Sequence, residues 1–327
     1  MPVHPAIASK FPLLESIRSM QEAWGDPAQR AVVDEVMLVA GAPAPPDVPT
    51  RDDAAPGPHG PVPVRVYAPS ADGSDRPCLV WMHGGAFMFG DLDMNEADWT
   101  ARQICDRVGA VVVSVDYRLA RGGVTYPVPL DDVVAAVRWA RDDAATLGVD
   151  PARITVGGAS AGATLAAGAA LRLRDEDGWV PAALLLAYPA MHAPLPAASP
   201  ALAADLTELP ALFRSSPGSH DGTIVNYLGG PVTSADGYAL PSRAVLEGLC
   251  PTLVLNAQYD ELRSSGEAFA AACAVAGVDV SQVLVTGMLH GFLNGRADVE
   301  PVDRALDLMA RTVAENSGAV HCVAASA

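Results

Sequence analysis

Short runs that are apolar at every position alternate along this chain with longer amphipathic or alanine-rich runs. A strand that is apolar on both faces needs cover on both faces, which a mainly parallel sheet between two layers of helices provides. The pattern therefore predicts an α/β protein whose reacting groups lie at the carboxyl ends of strands. The predicted strands are PVPVRVYAP (61–69), CLVWMHGG (78–85), AVVVSVDYR (110–118), RITVGGAS (153–160), AALLLAYPA (182–190), TLVLNAQYD (252–260) and VSQVLVTG (280–287).

The segments between these strands predict the helical layers. Two further helical stretches, over 13–24 and 29–40, precede a proline-rich break at 41–50, which indicates a boundary. The helices predicted within the alternating part cover residues 94–109, 131–148, 160–174, 265–277 and 302–315.

Residues 191–235 interrupt the alternation, because they contain no strand-like run although they separate two strong core strands. A long insertion in a compact domain is usually functional, often as a lid, although a solvated surface loop is the alternative. The apolar helical pieces DLTELPALF and TIVNYL favour a packed cap. The predicted organisation is a helical cap segment over 1–45, an α/β core over 46–190 and 236–327, and a cap insertion over 191–235.

The charge, the hydropathy and the cysteines of the chain limit which partners and which location we expect. The formal net charge of −17 argues against nucleic acid or an anionic membrane, because the phosphate contacts that dominate such binding would be repulsive. No stretch has the apolar length of a membrane span, and the first residues lack the pattern of a signal peptide. Five widely spaced cysteines without CxxC predict inert thiols and no zinc site. We expect a cytoplasmic protein that binds a neutral or cationic small molecule.

The pentapeptide at 158–162, Gly-Ala-Ser-Ala-Gly, joins a predicted strand to a predicted helix. This G-x-S-x-G pattern in a strand–turn–helix context is typical of a nucleophile elbow, which projects the hydroxyl of Ser160 from a tight turn. The pentapeptide by itself is also compatible with a glycine-rich helix start in a protein rich in alanine and glycine.

A serine hydroxyl needs a base that removes its proton and a third group that orients the base. In α/β-hydrolases these follow the serine in the order acid, then histidine. Both Asp260 and His290 end or follow predicted strands in that order. Among the other later histidines, His192 and His220 lie in the insertion and His321 lies in the terminal tail.

The segment HGGAF at 83–87 follows a buried strand and has small residues at three successive positions. Such a loop exposes backbone N–H groups, which an oxyanion needs when a serine attacks a carbonyl. We expect the loop of Gly84, Gly85 and Ala86, with the amide of Ala161, to form the oxyanion hole. His83 precedes the serine, so we expect it to brace the loop rather than to act as the base.

Together these segments resemble the hormone-sensitive-lipase-type (bacterial family IV) carboxylesterases, which have an α/β-hydrolase core and a helical cap. The resemblance implies Ser160 as nucleophile, His290 as general base and acid, and Asp260 as its orienter. It also suggests that the terminal helix and the last strand could form a homodimer edge. The matching motifs span most of the chain: GPVPVRVY, HGGAF followed by GD, GAVVVSVDYRLA, YPVPLDD, VDPARITVGGASAG, LLLAYPA, QYDELR and GMLHGF.

The resemblance further implies an oxyanion hole from the amides of Gly85, Ala86 and Ala161, with Gly84 shaping the turn. Four departures from the family pattern bear on substrate preference. Ala86 replaces the last glycine of HGGG, and Ala159 replaces the usual Asp or Thr before the nucleophile. The usual residues after DYRLA and QYDELR are replaced by Arg-Gly-Gly (121–123) and by Ser264.

The expected function is hydrolysis of carboxylic esters with small to medium acyl groups through an acyl-enzyme, with neither metal nor organic cofactor. The few aromatic residues, 6% of the chain, and the two cap segments favour the smaller acyl groups. A lactone or amide hydrolase, or an acyltransferase with the same triad, remains an alternative. A non-catalytic ligand-binding protein on the same fold is less compatible with an intact His290.

Overall fold

The computed structural model describes residues 2–17, 23, 25–37, 40–70, 73–214 and 218–315. Eight strands form one sheet: β1 (Thr50–Ala55), β2 (Val62–Tyr67), β3 (Arg76–Met82), β4 (Val111–Val115), β5 (Val149–Ala159), β6 (Ala183–Ala187), β7 (Thr252–Tyr259) and β8 (Val280–Leu289). Their order is β1-β2-β4-β3-β5-β6-β7-β8. β2 is antiparallel to both β1 and β4, and all other neighbours are parallel. The predicted mainly parallel sheet is confirmed.

Helices cover both faces of this sheet. One apolar core is shared with the helices that begin at Val128, Ala161 and Arg263, and the other with the helices that begin at Asn95 and Glu300 and with the N-terminal segment. The described helices are α1 (Pro5–Ala8), α2 (Pro27–Val36), α3 (Asn95–Val108), α4 (Val128–Asp142), α5 (Ala144–Leu147), α6 (Ala161–Asp177), α7 (Pro200–Thr207), α8 (Ser219–Leu228), α9 (Arg263–Val275) and α10 (Glu300–Glu315).

Two features of the fold differ from the sequence prediction. β1 was not predicted, because its sequence TRDDAA forms an exposed edge with only Ala55 buried and so lacks an apolar pattern. The helix predicted over 13–24 is wrong in its first part, since a 3₁₀ turn covers Phe11–Leu14 and residues 15–17 are not helical, whereas Ala23 is helical. Residues 18–22 and 24 lie outside the described residues.

The insertion over 191–235 packs on the core through α7 and α8. The ring of Tyr227 in α8 stacks on Phe87 of the HGGAF loop, with 4.0 Å between ring centroids. The backbone N–H of Tyr126 donates to the carbonyl oxygen of Tyr227 over 2.7 Å. At the end of α7, Glu208 accepts a hydrogen bond from the Tyr259 hydroxyl, next to the carboxyl end of β7. The insertion therefore contacts the edge of the sheet where the strands end.

The N-terminal segment meets the insertion on the same side. The rings of Phe11 and Phe213 lie 6.1 Å apart. A groove of about 480 Å³ lies between these two segments and is lined by residues 11–17 of the N-terminal segment and 208–212 of the insertion. Neither Ser160 nor His290 lines it. The two segments predicted to form a cap are therefore neighbours across this groove.

Cys78, Cys105, Cys250 and Cys273 are buried free thiols, whereas Cys322 lies outside the described residues. Burial raises the pKa of the Cys78 and Cys250 thiols to about 12, so both are uncharged and unreactive at neutral pH. Among the described helices, none combines the length and the apolar character that crossing a bilayer would require.

Candidate active site

Ser160 occupies the sharp turn between β5 and α6, with φ 53° and ψ −119°. A non-glycine residue in this region is strained by roughly 1–3 kcal/mol. The flanking glycines make the turn possible, because a Cβ on Gly158 would overlap the carbonyl of Gly162, and one on Gly162 would overlap the carbonyls of Met82 and His83. The turn therefore has the close backbone approach that G-x-S-x-G requires.

The structure brings Ser160, His290 and Asp260 together from the ends of three parallel strands. The Oγ of Ser160 lies 3.0 Å from Nε2 of His290, and Nδ1 of His290 lies 2.7 Å from Oδ2 of Asp260. Oδ1 of Asp260 accepts the backbone N–H of Leu262 over 2.9 Å, which fixes the carboxylate. A proton on Nδ1 faces the carboxylate, so Nε2 is left to accept the proton of the serine hydroxyl.

Asp260 and His290 differ in solvent exposure, and nearby charges raise the pKa of His290. The side chain of Asp260 is 4% exposed, whereas that of His290 is 38% exposed. Burial lowers the pKa of His290, but the charge and hydrogen bond of Asp260 and the charge of Glu96 outweigh it, so the net pKa is raised. The imidazole is thus a stronger base than a free histidine, and its side chain is partly exposed.

The HGGAF loop turns back on itself beside Ser160, with φ of 109° at Gly85, 54° at Ala86 and 63° at Phe87. Within the part of the chain that the structure describes, no acceptor is found for the backbone N–H groups of Gly85, Ala86 or Ala161. These three amides are therefore available to a bound oxygen.

The amide of Gly84 is engaged elsewhere, since it donates to Oε2 of the buried Glu96 over 2.6 Å. A Cβ at Gly84 would also press on Ser160 and on the carbonyl of Ala159. The N–H of Gly84 is therefore not free to bind a substrate. The lack of a side chain at Gly84 instead allows the close turn beside Ser160.

His83 is fully buried, and its Nδ1 lies 2.7 Å from the carbonyl oxygen of Gly84. Its ring stacks on Tyr117, whose hydroxyl donates to the carbonyl oxygen of His83 over 2.8 Å. Burial lowers the pKa of His83, so the ring is neutral. These contacts are those of a residue that braces the loop.

The other histidines after Ser160 do not reach it among the described contacts. Nδ1 of His192 lies 3.0 Å from the Oγ of Ser265, and Nε2 of His220 lies 2.7 Å from the carbonyl oxygen of His192. His321 lies outside the described residues. Within the described ranges, no three His, Cys, Asp or Glu side chains are grouped so that they could hold a metal ion.

Three residues of the site were missed by sequence reasoning: Glu96, Tyr188 and Asn294. The Tyr188 hydroxyl donates to Oε1 of Glu96 over 2.5 Å, and Nδ2 of Asn294 donates to the same oxygen over 3.2 Å. Glu96 falls in the first turn of a helix, where an acidic residue normally faces solvent and interacts with the helix dipole. Its partners lie 92 and 198 residues away in sequence, so no local pattern predicts these contacts.

A mainly parallel sheet covered by helices on both faces, with a strained serine after β5 and an aspartate and a histidine after β7 and β8, defines the class of α/β hydrolases. A sequence model of the family described as alpha/beta hydrolase fold matches residues 79–294, and the chain belongs to this family.

Three known proteins illustrate the similarity. Carboxylesterase NlhH of Mycobacterium tuberculosis is 38% identical over 71% of this chain and 72% of its own length. Esterase LipI of the same organism is 36% identical over 85% of this chain and 82% of its own. The structure of a hyperthermophilic esterase from Pyrobaculum calidifontis superposes with a TM-score of 0.82 at 29% identity, over 96% of this chain and 99% of that one. The resemblance to hormone-sensitive-lipase-type esterases is confirmed.

Proposed function

We propose that this protein is a serine carboxylic-ester hydrolase that works through an acyl-enzyme. One observation carries the proposal: an unbroken run of hydrogen bonds connects the Oγ of Ser160 through His290 to the buried Asp260. The names of the relatives, carboxylesterase and esterase, support the same reaction class.

In the proposed reaction, Oγ of Ser160 attacks the ester carbonyl while Nε2 of His290 takes the hydroxyl proton. The imidazolium then gives this proton to the departing alcohol, and the acyl group stays on the serine. Water attacks the acyl-enzyme with His290 again as base, and the acid leaves with Ser160 regenerated. Asp260 keeps the proton on Nδ1 throughout and stabilises the imidazolium.

The oxyanion hole of this reaction consists, in our proposal, of the backbone N–H groups of Gly85, Ala86 and Ala161. Their lack of acceptors among the described residues supports this role. Ala161 also begins α6, whose N-terminus favours developing negative charge. We assign Gly84 to shaping the turn, because its amide is bound by Glu96.

The proposed substrates are esters of small to medium acyl groups. The methyl group of Ala86 lies on the oxyanion loop where the family pattern has hydrogen, which would narrow the site. The stacking of Tyr227 on Phe87 brings the insertion against the same loop.

We propose that residues 1–45 and 191–235 form the cap over the core of 46–190 and 236–327. The homodimer and the cytoplasmic location remain predictions.

The test uses p-nitrophenyl acetate and butyrate with the wild-type protein and with Ser160→Ala. We expect steady turnover by the wild type and a loss of about 10⁴–10⁶-fold in kcat for the variant, without loss of folding, because the alanine removes the nucleophile alone. Wild-type rates in a folded Ser160→Ala variant would refute the serine mechanism. A wild type without turnover would favour the ligand-binding alternative.

A panel of p-nitrophenyl esters from acetate to palmitate tests the acyl preference. We expect kcat/KM to peak at short or medium chains, and a clear preference for long chains would refute the proposal. Lactones, arylamides and an added alcohol acceptor in the same panel separate a lactonase, an amidase and an acyltransferase from the ester hydrolase.

A further inference from the structure

Glu96 is an acidic residue with almost no access to solvent, and its partners adjoin the proposed reaction centre. Its side chain is almost fully buried, in the first turn of α3. Its carboxylate contacts three separate segments: the HGGAF loop through the Gly84 amide, the end of β6 through Tyr188, and the turn after β8 through Asn294. Burying a carboxylate costs free energy of folding unless hydrogen bonds satisfy it. A role in the site would explain why the chain places one here.

The partners of Glu96 all donate. The Gly84 N–H can only donate, and Oδ1 of Asn294 accepts the backbone N–H of Glu96 over 3.2 Å, which turns the Nδ2 group of Asn294 toward Oε1. Burial raises the pKa of Tyr188 well above its usual value, so its hydroxyl keeps the proton that it donates. The pKa of Glu96 is raised overall by burial, which outweighs these three donors and the charge of His290, although each of them favours the ionised form. The donor set fits a carboxylate.

Each of the three contacts reaches a different part of the proposed machinery. Gly84 immediately precedes the free amides of Gly85 and Ala86, so binding its N–H sets the orientation of the loop. Tyr188 meets the imidazole of His290 edge-on, with 4.9 Å between ring centroids. Asn294 ends the short 3₁₀ turn over 292–294 that follows His290.

We propose that Glu96 is a positioning residue of this site. Its carboxylate holds the HGGAF loop in place through Gly84, and it holds His290 and the turn over 292–294 in place through Tyr188 and Asn294. The inference rests on the proposed ester hydrolysis. It assigns to Glu96 the alignment of two groups that must act together, because the loop binds the oxyanion at the moment when His290 holds the proton. A misplacement of about 1 Å in such a site can cost about 10²-fold in rate.

The carboxylate of Glu96 also acts on His290 by charge. The imidazole contacts Ser160 in the turn between β5 and α6, Tyr188 after β6 and Asp260 after β7, and the charge of Glu96 in α3 also acts on it. Two of them, Asp260 and Glu96, are carboxylates that favour the imidazolium. Neutralising Glu96 therefore lowers the pKa of His290 and moves the acid limb of the pH–rate profile to lower pH, an effect that a purely structural residue would not produce.

The test compares Glu96→Gln with Asp98→Asn, a matched control in the same helix. Asp98 also accepts a tyrosine hydroxyl, that of Tyr67, but its hydrogen bonds among the described residues, to Tyr67 and Arg102, do not reach the site. Hydrolysis of p-nitrophenyl butyrate is followed from pH 5 to 9, together with thermal unfolding. For Glu96→Gln we expect kcat to fall about 10- to 100-fold with KM within about twofold, and the acid limb to move to lower pH. Asp98→Asn should keep the wild-type kcat and acid limb.

Tyr188→Phe keeps the inference testable if Glu96→Gln does not fold, because the change removes one donor and retains the ring against His290. We expect kcat to fall about 3- to 10-fold at unchanged KM, which corresponds to the loss of one hydrogen bond. A folded Glu96→Gln protein with wild-type kcat and acid limb would overturn the inference, as would a wild-type kcat in Tyr188→Phe where Glu96→Gln is unfolded. Absence of turnover in the wild type would instead overturn the proposed function.

Discussion

Asp260 and His290 lie 30 residues apart in the chain, yet their side chains meet at 2.7 Å where the adjacent parallel strands β7 and β8 end. The aspartate is buried and the histidine is partly exposed. This asymmetry keeps the carboxylate away from water while the imidazole faces the serine and the solvent-accessible side. The orientation of the proposed base, His290, thus follows from the pairing of two strands.

Replacing Asp260 by Asn tests this relationship. An amide retains the shape of the carboxylate but can stabilise the wrong tautomer of His290 and carries no charge to balance the imidazolium, so kcat should fall by about 10⁴-fold. Steady-state kinetics with p-nitrophenyl butyrate measures the effect, and circular dichroism checks the fold. A loss of less than tenfold would argue against the role assigned to Asp260.

The pH dependence of kcat/KM should report the pKa of His290 in the free protein. The base must be neutral, so the rate rises as pH increases through that pKa. Because the pKa of His290 is raised, we expect the midpoint of this acid limb above about 6.5, the value for an unperturbed histidine. A midpoint clearly below pH 6 would contradict the balance between burial and the two carboxylates.

Ala86→Gly tests whether the methyl group of Ala86, which replaces a glycine of the family pattern, narrows the space for the acyl group. We expect kcat/KM for branched or longer acyl esters to increase relative to acetate by about tenfold, which is the effect of roughly one methylene in a pocket. Stability should change little. The relief of left-handed strain at φ 54°, about 1–2 kcal/mol, is offset by the larger entropy of glycine in the unfolded chain. An unchanged ratio of the two rates would show that Ala86 does not limit the acyl group.

Gly162→Ala and Gly222→Ala form a matched pair that tests the turn at Ser160. The added methyl at 162 would overlap backbone carbonyls that cannot move aside, so we expect a loss of about 3 kcal/mol or more in the free energy of unfolding. At 222, within α8, the methyl meets no atom within 4 Å, and we expect a gain of about 0.5–1 kcal/mol. Urea denaturation measures both values, and equal stability of the two variants would refute the steric requirement at Gly162.

Much of the architecture could be predicted from local patterns. The apolar runs predicted seven of the eight strands, and the positions of Ser160, Asp260 and His290 relative to strand ends followed from the same periodicity. The missed strand β1 shows the limit of that reasoning, because an exposed edge such as Thr50–Ala55 buries too little apolar surface to leave a pattern. Its backbone pairs with β2 all the same.

The sequence by itself determined where strands end, which small residues make the turn around Ser160, and which side chains could take part in chemistry, because these depend on local sterics and on apolar periodicity. Only the tertiary structure decided that Glu96 faces inward, that it binds the Gly84 amide, and that Tyr188 and Asn294 complete its shell. A buried charge is stabilised by donors that the fold brings from distant segments, and such a set leaves no mark on the residues next to it in sequence.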